Sequence, residues 1–214
     1  MPNKPYLPAA GHDLFLPLYD PFNKLLGADA AHQSLLDRAN LQPGFRVLDI
    51  GCGTGTLAVK IKQTNPAVEV TGIDPDPKAL ARARNKASRA AVNLTFDQGF
   101  ANQLPYPDKS FDRVFSSMMF HHLPGSERES SLREVARVLK PSGEFHLMDF
   151  AATQHGLHGF LSHFIHSSAT FRDNADTKIL QLMSQAGLSR PEKVADGRLL
   201  FGHIAYYRAL APRA

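Results

Sequence analysis

The sequence predicts an α/β protein built on a doubly wound sheet of seven strands, mostly parallel, with an antiparallel hairpin at its C-terminal side. Three observations lead there. Short β-type apolar runs alternate with amphipathic helical patterns along the chain, as expected of successive βαβ units. The runs are mostly continuous in apolar character, as strands buried on both faces are. The first of them, VLDIG, passes at once into a glycine-rich turn and a helical segment. In an open α/β sheet that is where a ligand sits, beyond the carboxyl ends of the strands.

Taken in order, residues 1–42 read as a helical cap. Its two pieces, HDLFLPLYDPFNKLLG and DAAHQSLLDRANL, are broken by prolines, and Asp29 is placed to cap the second. The sheet domain occupies residues 43–214. FRVLDIG leads into a helix from near Thr54, VEVTGID into a helix from Asp76, and VNLTFDQG into a proline-rich loop. FDRVFSS precedes a helix through SERESSLREVARVLK, and GEFHLMDF precedes a helical insertion at about 152–172. In PKALARARNKASRA, Lys78, Arg82, Lys86 and Arg89 form one helical stripe and Leu80, Ala83, Ala87 and Ala91 the opposite one. That is the pattern of a surface helix on a sheet, its charges solvated. PEKVADGR and LFGHIAYYRA lie on either side of a turn signal at Asp196-Gly197, which predicts the hairpin.

Composition excludes several classes. A chain of 214 residues with 43% hydrophobic and 21% charged residues is neither disordered nor fibrous. No uncharged apolar run approaches the roughly 20 residues of a bilayer span, and prolines occupy the place of a signal-peptide core in MPNKPYLPAAGHD. The single cysteine, Cys52, leaves no internal disulfide and no multi-cysteine metal site. A cytoplasmic protein without a metal is expected. The net charge of +4 is modest and local, which makes nucleic acid an unfavoured partner.

The turn GCGTG spends conformational entropy on three closely spaced glycines, so something must approach its backbone. The following helix offers unpaired N–H groups to an anion. A dinucleotide fingerprint would place glycine at position 56, where the chain has Thr56. Asp49 precedes the turn instead; it would repel a pyrophosphate but accept from an ammonium group. The ligand therefore carries both charges at this end, as an amino acid does. Asp74 ends the next strand and suits a ribose diol, with Asp76 available to cap the helix that follows. A nucleoside joined to an amino acid is S-adenosylmethionine.

With VLDIGCGTG, GIDPDP, LPYPDKSFDRV and LREVARVLKPSGEF in this order, residues 44–150 resemble the class I S-adenosylmethionine-dependent methyltransferases. Within that class the chain is most similar to the small-molecule branch that includes the ubiquinone/menaquinone C-methyltransferases. The resemblance implies a Rossmann-like fold and S-adenosylmethionine as cofactor. It assigns Asp49, Gly51, Cys52, Gly53, Thr54 and Gly55 to the methionine moiety, Asp74 and Pro75 to the ribose, and Phe100, Ala101 and Ser117 to the rest of the cofactor surface. Phe100 departs from the family, in which an aspartate at this place binds the adenine amino group. Weaker binding follows, or rescue by Asp97 or Asn102.

Methyl transfer is an in-line displacement in which positioning and desolvation supply much of the acceleration; a base is needed only for an acceptor whose proton has a high pKa. SSMMFHHLPG follows the fourth strand and faces the methyl group in this fold, which makes His121, ahead of His122, the candidate base. In QHGLHGFLSHFIHSSATF, Leu157, Phe160, Leu161, Phe164 and Phe171 share one helical face and His155, His158, His163 and His166 the other. The resemblance makes this segment a lid, closing with Phe15, Tyr19 and Phe22 over a small apolar or aromatic acceptor. Two rivals remain: an RNA ribose or base methyltransferase, and a non-catalytic protein of the same fold that binds the nucleoside. SSMMFHHLP lacks the Asn/Asp-Pro-Pro-aromatic tetrad of base-amino enzymes.

Overall fold

The computed structural model describes residues 28–151, 176–200 and 202–213. The first cap piece with Phe15, Tyr19 and Phe22, and the insertion at about 152–172, lie outside the described residues. The first elements among the described residues are α1 (Ala28–Asp37), β1 (Arg46–Ile50), α2 (Thr56–Thr64), β2 (Glu69–Asp74) and α3 (Pro77–Arg89). There follow β3 (Thr95–Gln98), β4 (Phe111–Ser117), α4 (Gly125–Val138), β5 (Leu139–Phe150), α5 (Asp176–Gln185), β6 (Ser189–Leu199) and β7 (Gly202–Leu210). A single seven-stranded sheet runs in the order β3-β2-β1-β4-β5-β7-β6. The strands from β1 to β5 pair in parallel, and β7 runs antiparallel to both β5 and β6.

Neighbouring residues on one strand face two different cores, which is why the strands read as unbroken apolar runs. Leu48, Val114, Leu147 and Tyr207 belong to one buried cluster; Val47, Phe115, Met148 and Tyr206 belong to the other. The first cluster includes Leu132 and Val135 from α4, and the second Leu57 and Ile61 from α2 and Leu80 from α3. Each fully buried Leu or Ile adds about 1.5–3 kcal/mol of transfer free energy.

Several boundaries differ from the sequence expectation. Helix α2 starts at Thr56 with Gly55 as its N-cap in the left-handed region, φ 75°, so the turn keeps Thr54 for itself. Helix α3 buries Ala79, Leu80, Ala83 and Ala87 as patterned, but Ala91 lies past the helix end at φ 51°. Asp29 sits inside the first turn of α1, where it accepts from Lys60 Nζ at 2.8 Å. The hairpin does not turn at Asp196-Gly197: those residues pair with Ala205 and Ile204 within the ladder, and the strands close at Leu199 opposite Gly202. Gly197 is needed for close approach, because a Cβ there would lie 2.9 Å from both Ile204 Cγ1 and Tyr206 Cε2.

Candidate active site

The strand order reverses between β1 and β4, and the parallel register that sets Ile50 beside Ser116 brings the glycine turn alongside the end of β4. Gly51, Gly53 and Gly55 all have positive φ, at 68°, 50° and 75°. The turn hangs from the end of β2. The amides of Gly51 and Cys52 both donate to the Ile73 carbonyl, and the Gly53 amide donates to Asp74 Oδ2 at 2.8 Å. The Met119 side chain lies directly on Gly51, where an added Cβ would fall 2.2 Å from its Cγ. A Cβ at Gly55 would meet Ala83 Cβ at 2.8 Å and Phe96 Cζ at 2.9 Å. Close approach on one side and helix packing on the other thus separate the roles of these two glycines.

The acidic residues divide their work. Asp74 is buried and also accepts from the Asp76 amide at 2.9 Å. Two bonds from backbone amides leave other lone pairs of its carboxylate for a diol. Capping of α3 falls to Asp76, which accepts from the Lys78 amide at 2.8 Å. Asp49 lies wholly beneath the turn, 1% exposed, and its Oδ2 has no hydrogen-bond partner among the described residues. Burial, reinforced by the nearby Asp74 and opposed by the Ala58 amide, pushes the Asp49 carboxyl up to about 8. An orphaned buried carboxyl oxygen beside a backbone cradle fits the ammonium of an amino acid. Thr54 is buried in the same turn, and Cys52, also buried, has its thiol raised by desolvation and by Asp49 and Asp74. Pro75 accepts from Gln98 Nε2 through its carbonyl at 3.1 Å.

Beyond β3, Phe100 and Ala101 are half-buried, and Phe100 bridges to Gln103. Asp97, named above as a substitute partner for adenine, accepts the Tyr106 hydroxyl at 2.9 Å. Burial and that same carboxylate push the Tyr106 phenol up. Asn102 is half-buried.

The segment after β4 forms a 3-10 turn at Phe120–His122. It divides the two histidines: His121 is buried and His122 exposed. Asp149, fully buried near the end of β5, accepts from the His121 amide at 2.8 Å and from its ring Nδ1 at 2.6 Å. It also accepts from the Phe150 amide at 2.7 Å. With the Nδ1 proton bound to Asp149, Nε2 is left with its lone pair. Ring contacts fix the plane further, since Phe150 meets His121 edge-on at 5.0 Å between centroids. Sequence reasoning missed Asp149; the only signal was its place near the end of a strand at the ligand-binding edge.

A second residue was missed. His32 on α1 reaches across 85 residues of sequence to Ser117, with Nε2 3.0 Å from Oγ. Its other ring nitrogen, Nδ1, is buried without a partner among the described residues. Desolvation, assisted by Lys60 and Lys86 and opposed by Asp29, holds its pKa down at about 4, so the ring is neutral at physiological pH.

A seven-stranded sheet of this order, with a glycine cradle and paired carboxylates at its switch point, defines a Rossmann-like nucleoside-binding protein. A family model described as a methyltransferase domain matches residues 47–143. The demethylmenaquinone methyltransferase of Deinococcus radiodurans is 34% identical over 203 residues, covering 91% of this chain and 83% of that protein. The 27-O-demethylrifamycin SV methyltransferase of Amycolatopsis mediterranei is 43% identical over 112 residues, covering 51% and 40%. Among solved structures, a Haemonchus contortus phosphoethanolamine N-methyltransferase 2 complex with S-adenosylhomocysteine superposes with a TM-score of 0.77. It is 16% identical, and the match covers 96% of this chain and 58% of that one. The chain belongs to the class I S-adenosylmethionine-dependent methyltransferases and is similar to the quinone methyltransferases. It is an enzyme, and S-adenosylmethionine is its cofactor. Among the described residues no helix is long and apolar enough to cross a membrane, and no three His, Cys, Asp or Glu side chains gather as metal ligands.

Proposed function

We propose that this methyltransferase acts on a small apolar or aromatic metabolite with an acidic hydroxyl or carbon, and that His121 removes the acceptor proton. The observation that carries this reading is the buried His121–Asp149 pair, held by bonds of 2.6 and 2.8 Å at the same carboxyl end of the sheet as the glycine turn. Asp49 and the amides of residues 51–55 hold the methionine end, Cys52 closing the floor of the turn. Asp74 and Pro75 meet the ribose, Phe100 and Ala101 flank the adenine, and Ser117 lines the space between. The cofactor supplies an electrophilic methyl carbon on a sulfonium. Asp149 keeps the His121 ring in one tautomer and stabilises the imidazolium that forms once Nε2 has taken a proton. Relatives named for a demethylmenaquinone and for a 27-O-demethylrifamycin support a polycyclic or quinol-like acceptor.

The test is methyl transfer from labelled cofactor to a panel of quinols and phenols. His121→Asn and Asp149→Asn should each lower kcat on the accepted substrate by about 10²-fold or more, the size of a general-base contribution. Binding of S-adenosylhomocysteine should persist in both variants. Unchanged turnover in His121→Asn would remove the base assignment; transfer to bulk RNA in preference to every small molecule would remove the substrate class.

A further inference from the structure

Helix α1 reaches the switch point of the sheet through a buried polar contact. The His32 ring and the Ser117 hydroxyl lie 3.0 Å apart, and Ser117 follows the residue that pairs with Ile50, so it abuts the start of the glycine turn. Nothing in the packing of α1 requires a histidine there. Its buried neighbours on the same face are Ala31, Leu35 and Leu36, and an apolar residue would complete that stripe.

The ring's surroundings choose its tautomer. Because Nδ1 is buried without an acceptor among the described residues, a proton on it would be an unmatched donor, which proteins avoid. The proton therefore sits on Nε2, and Nε2–H donates to Ser117 Oγ. A hydroxyl that accepts from His32 is free to donate its own hydrogen elsewhere, and the glycine turn beside it is where the amino-acid end of the cofactor is placed. An oxygen that must donate suits a carboxylate. Asp49, beneath the same turn, is the complementary acceptor for the ammonium.

We propose that His32 is a positioning residue for cofactor binding, its Nε2–H fixing the Ser117 hydroxyl as a hydrogen-bond donor to the carboxylate at the amino-acid end of the cofactor. This rests on the cofactor placement proposed above. Two ligands separate the contributions: S-adenosylhomocysteine, and 5′-methylthioadenosine, which keeps the nucleoside and lacks the amino-acid end. By calorimetric titration, His32→Leu should weaken S-adenosylhomocysteine binding about tenfold while 5′-methylthioadenosine binding stays within about twofold. Ser117→Ala, which leaves the packing of α1 intact, should show the same selective loss and add nothing to it in the double variant. His32→Gln, whose amide nitrogen takes the place of Nε2, should restore affinity. Equal losses for both ligands, or an unaltered S-adenosylhomocysteine affinity in Ser117→Ala, would overturn the proposal. Failure of the unsubstituted protein to bind either ligand would instead overturn the cofactor placement itself.

Discussion

At Asp49, burial retains the carboxyl proton up to about pH 8, whereas the unfolded chain releases it near 3.8. Between those values the folded state binds the proton that the unfolded state has lost, so this residue's contribution to stability falls as pH rises through the window and levels off above it. His32 acts in the opposite sense. Its ring is neutral down to about pH 4, against 6.5 in the unfolded chain; its contribution is complete above 6.5 and is lost as pH falls towards 4. Urea midpoints measured across this range should show Asp49→Asn flattening the neutral limb and His32→Gln flattening the acid limb. Phe100 poses a separate question of affinity. Phe100→Asp supplies the acceptor that the resemblance expects, and the calorimetric affinity for S-adenosylhomocysteine should rise by about tenfold, the worth of one bond to a charged group.

Among the elements, the glycine turn is held by packing as much as by its own conformation. Gly55→Ala would force a Cβ to within 2.8 Å of Ala83 and 2.9 Å of Phe96 at φ 75°, and both neighbours are buried. A loss of about 2–4 kcal/mol is expected from overpacking and backbone strain together, measurable by denaturant unfolding. The turn itself was legible in the sequence because three glycines and Asp49 lie within seven residues, as were β1 and β4, whose two-sided burial leaves an unbroken apolar run. The Asp196-Gly197 signal misled because a glycine demanded by crowding against Ile204 and Tyr206 looks the same in sequence as one demanded by a turn. The His121–Asp149 and His32–Ser117 pairs span 28 and 85 residues. Only the crossover connections of the sheet bring them together, and no local pattern encodes that.

Across the whole molecule, polar groups are segregated by the ends of the strands. The carboxyl ends carry the glycine turn, Asp74 and the His121–Asp149 pair, while Arg113 and Glu144 face each other nearer the strand starts, 3.8 Å apart. His146 stacks on Phe115 and donates from Nε2 to the same Glu144 at 3.1 Å, and Arg208 lies 3.5 Å from that carboxylate. The His146 bond, more than the arginines, keeps the Glu144 carboxyl below the usual range. Glu144→Gln leaves the buried Arg113 guanidinium short of a counter-charge, and a loss of about 2–4 kcal/mol is expected. S-adenosylhomocysteine binding should be unaffected; a lower affinity in calorimetry would show that the two ends are coupled. The position of β7 has a consequence for synthesis. Because residues 202–210 fill the gap between β5 and β6, an emerging polypeptide can assemble its five parallel strands while the flank of β5 still exposes unpaired amides and carbonyls. Ribosome-bound or prematurely terminated products should be the forms that a chaperone must shield from edge-to-edge association.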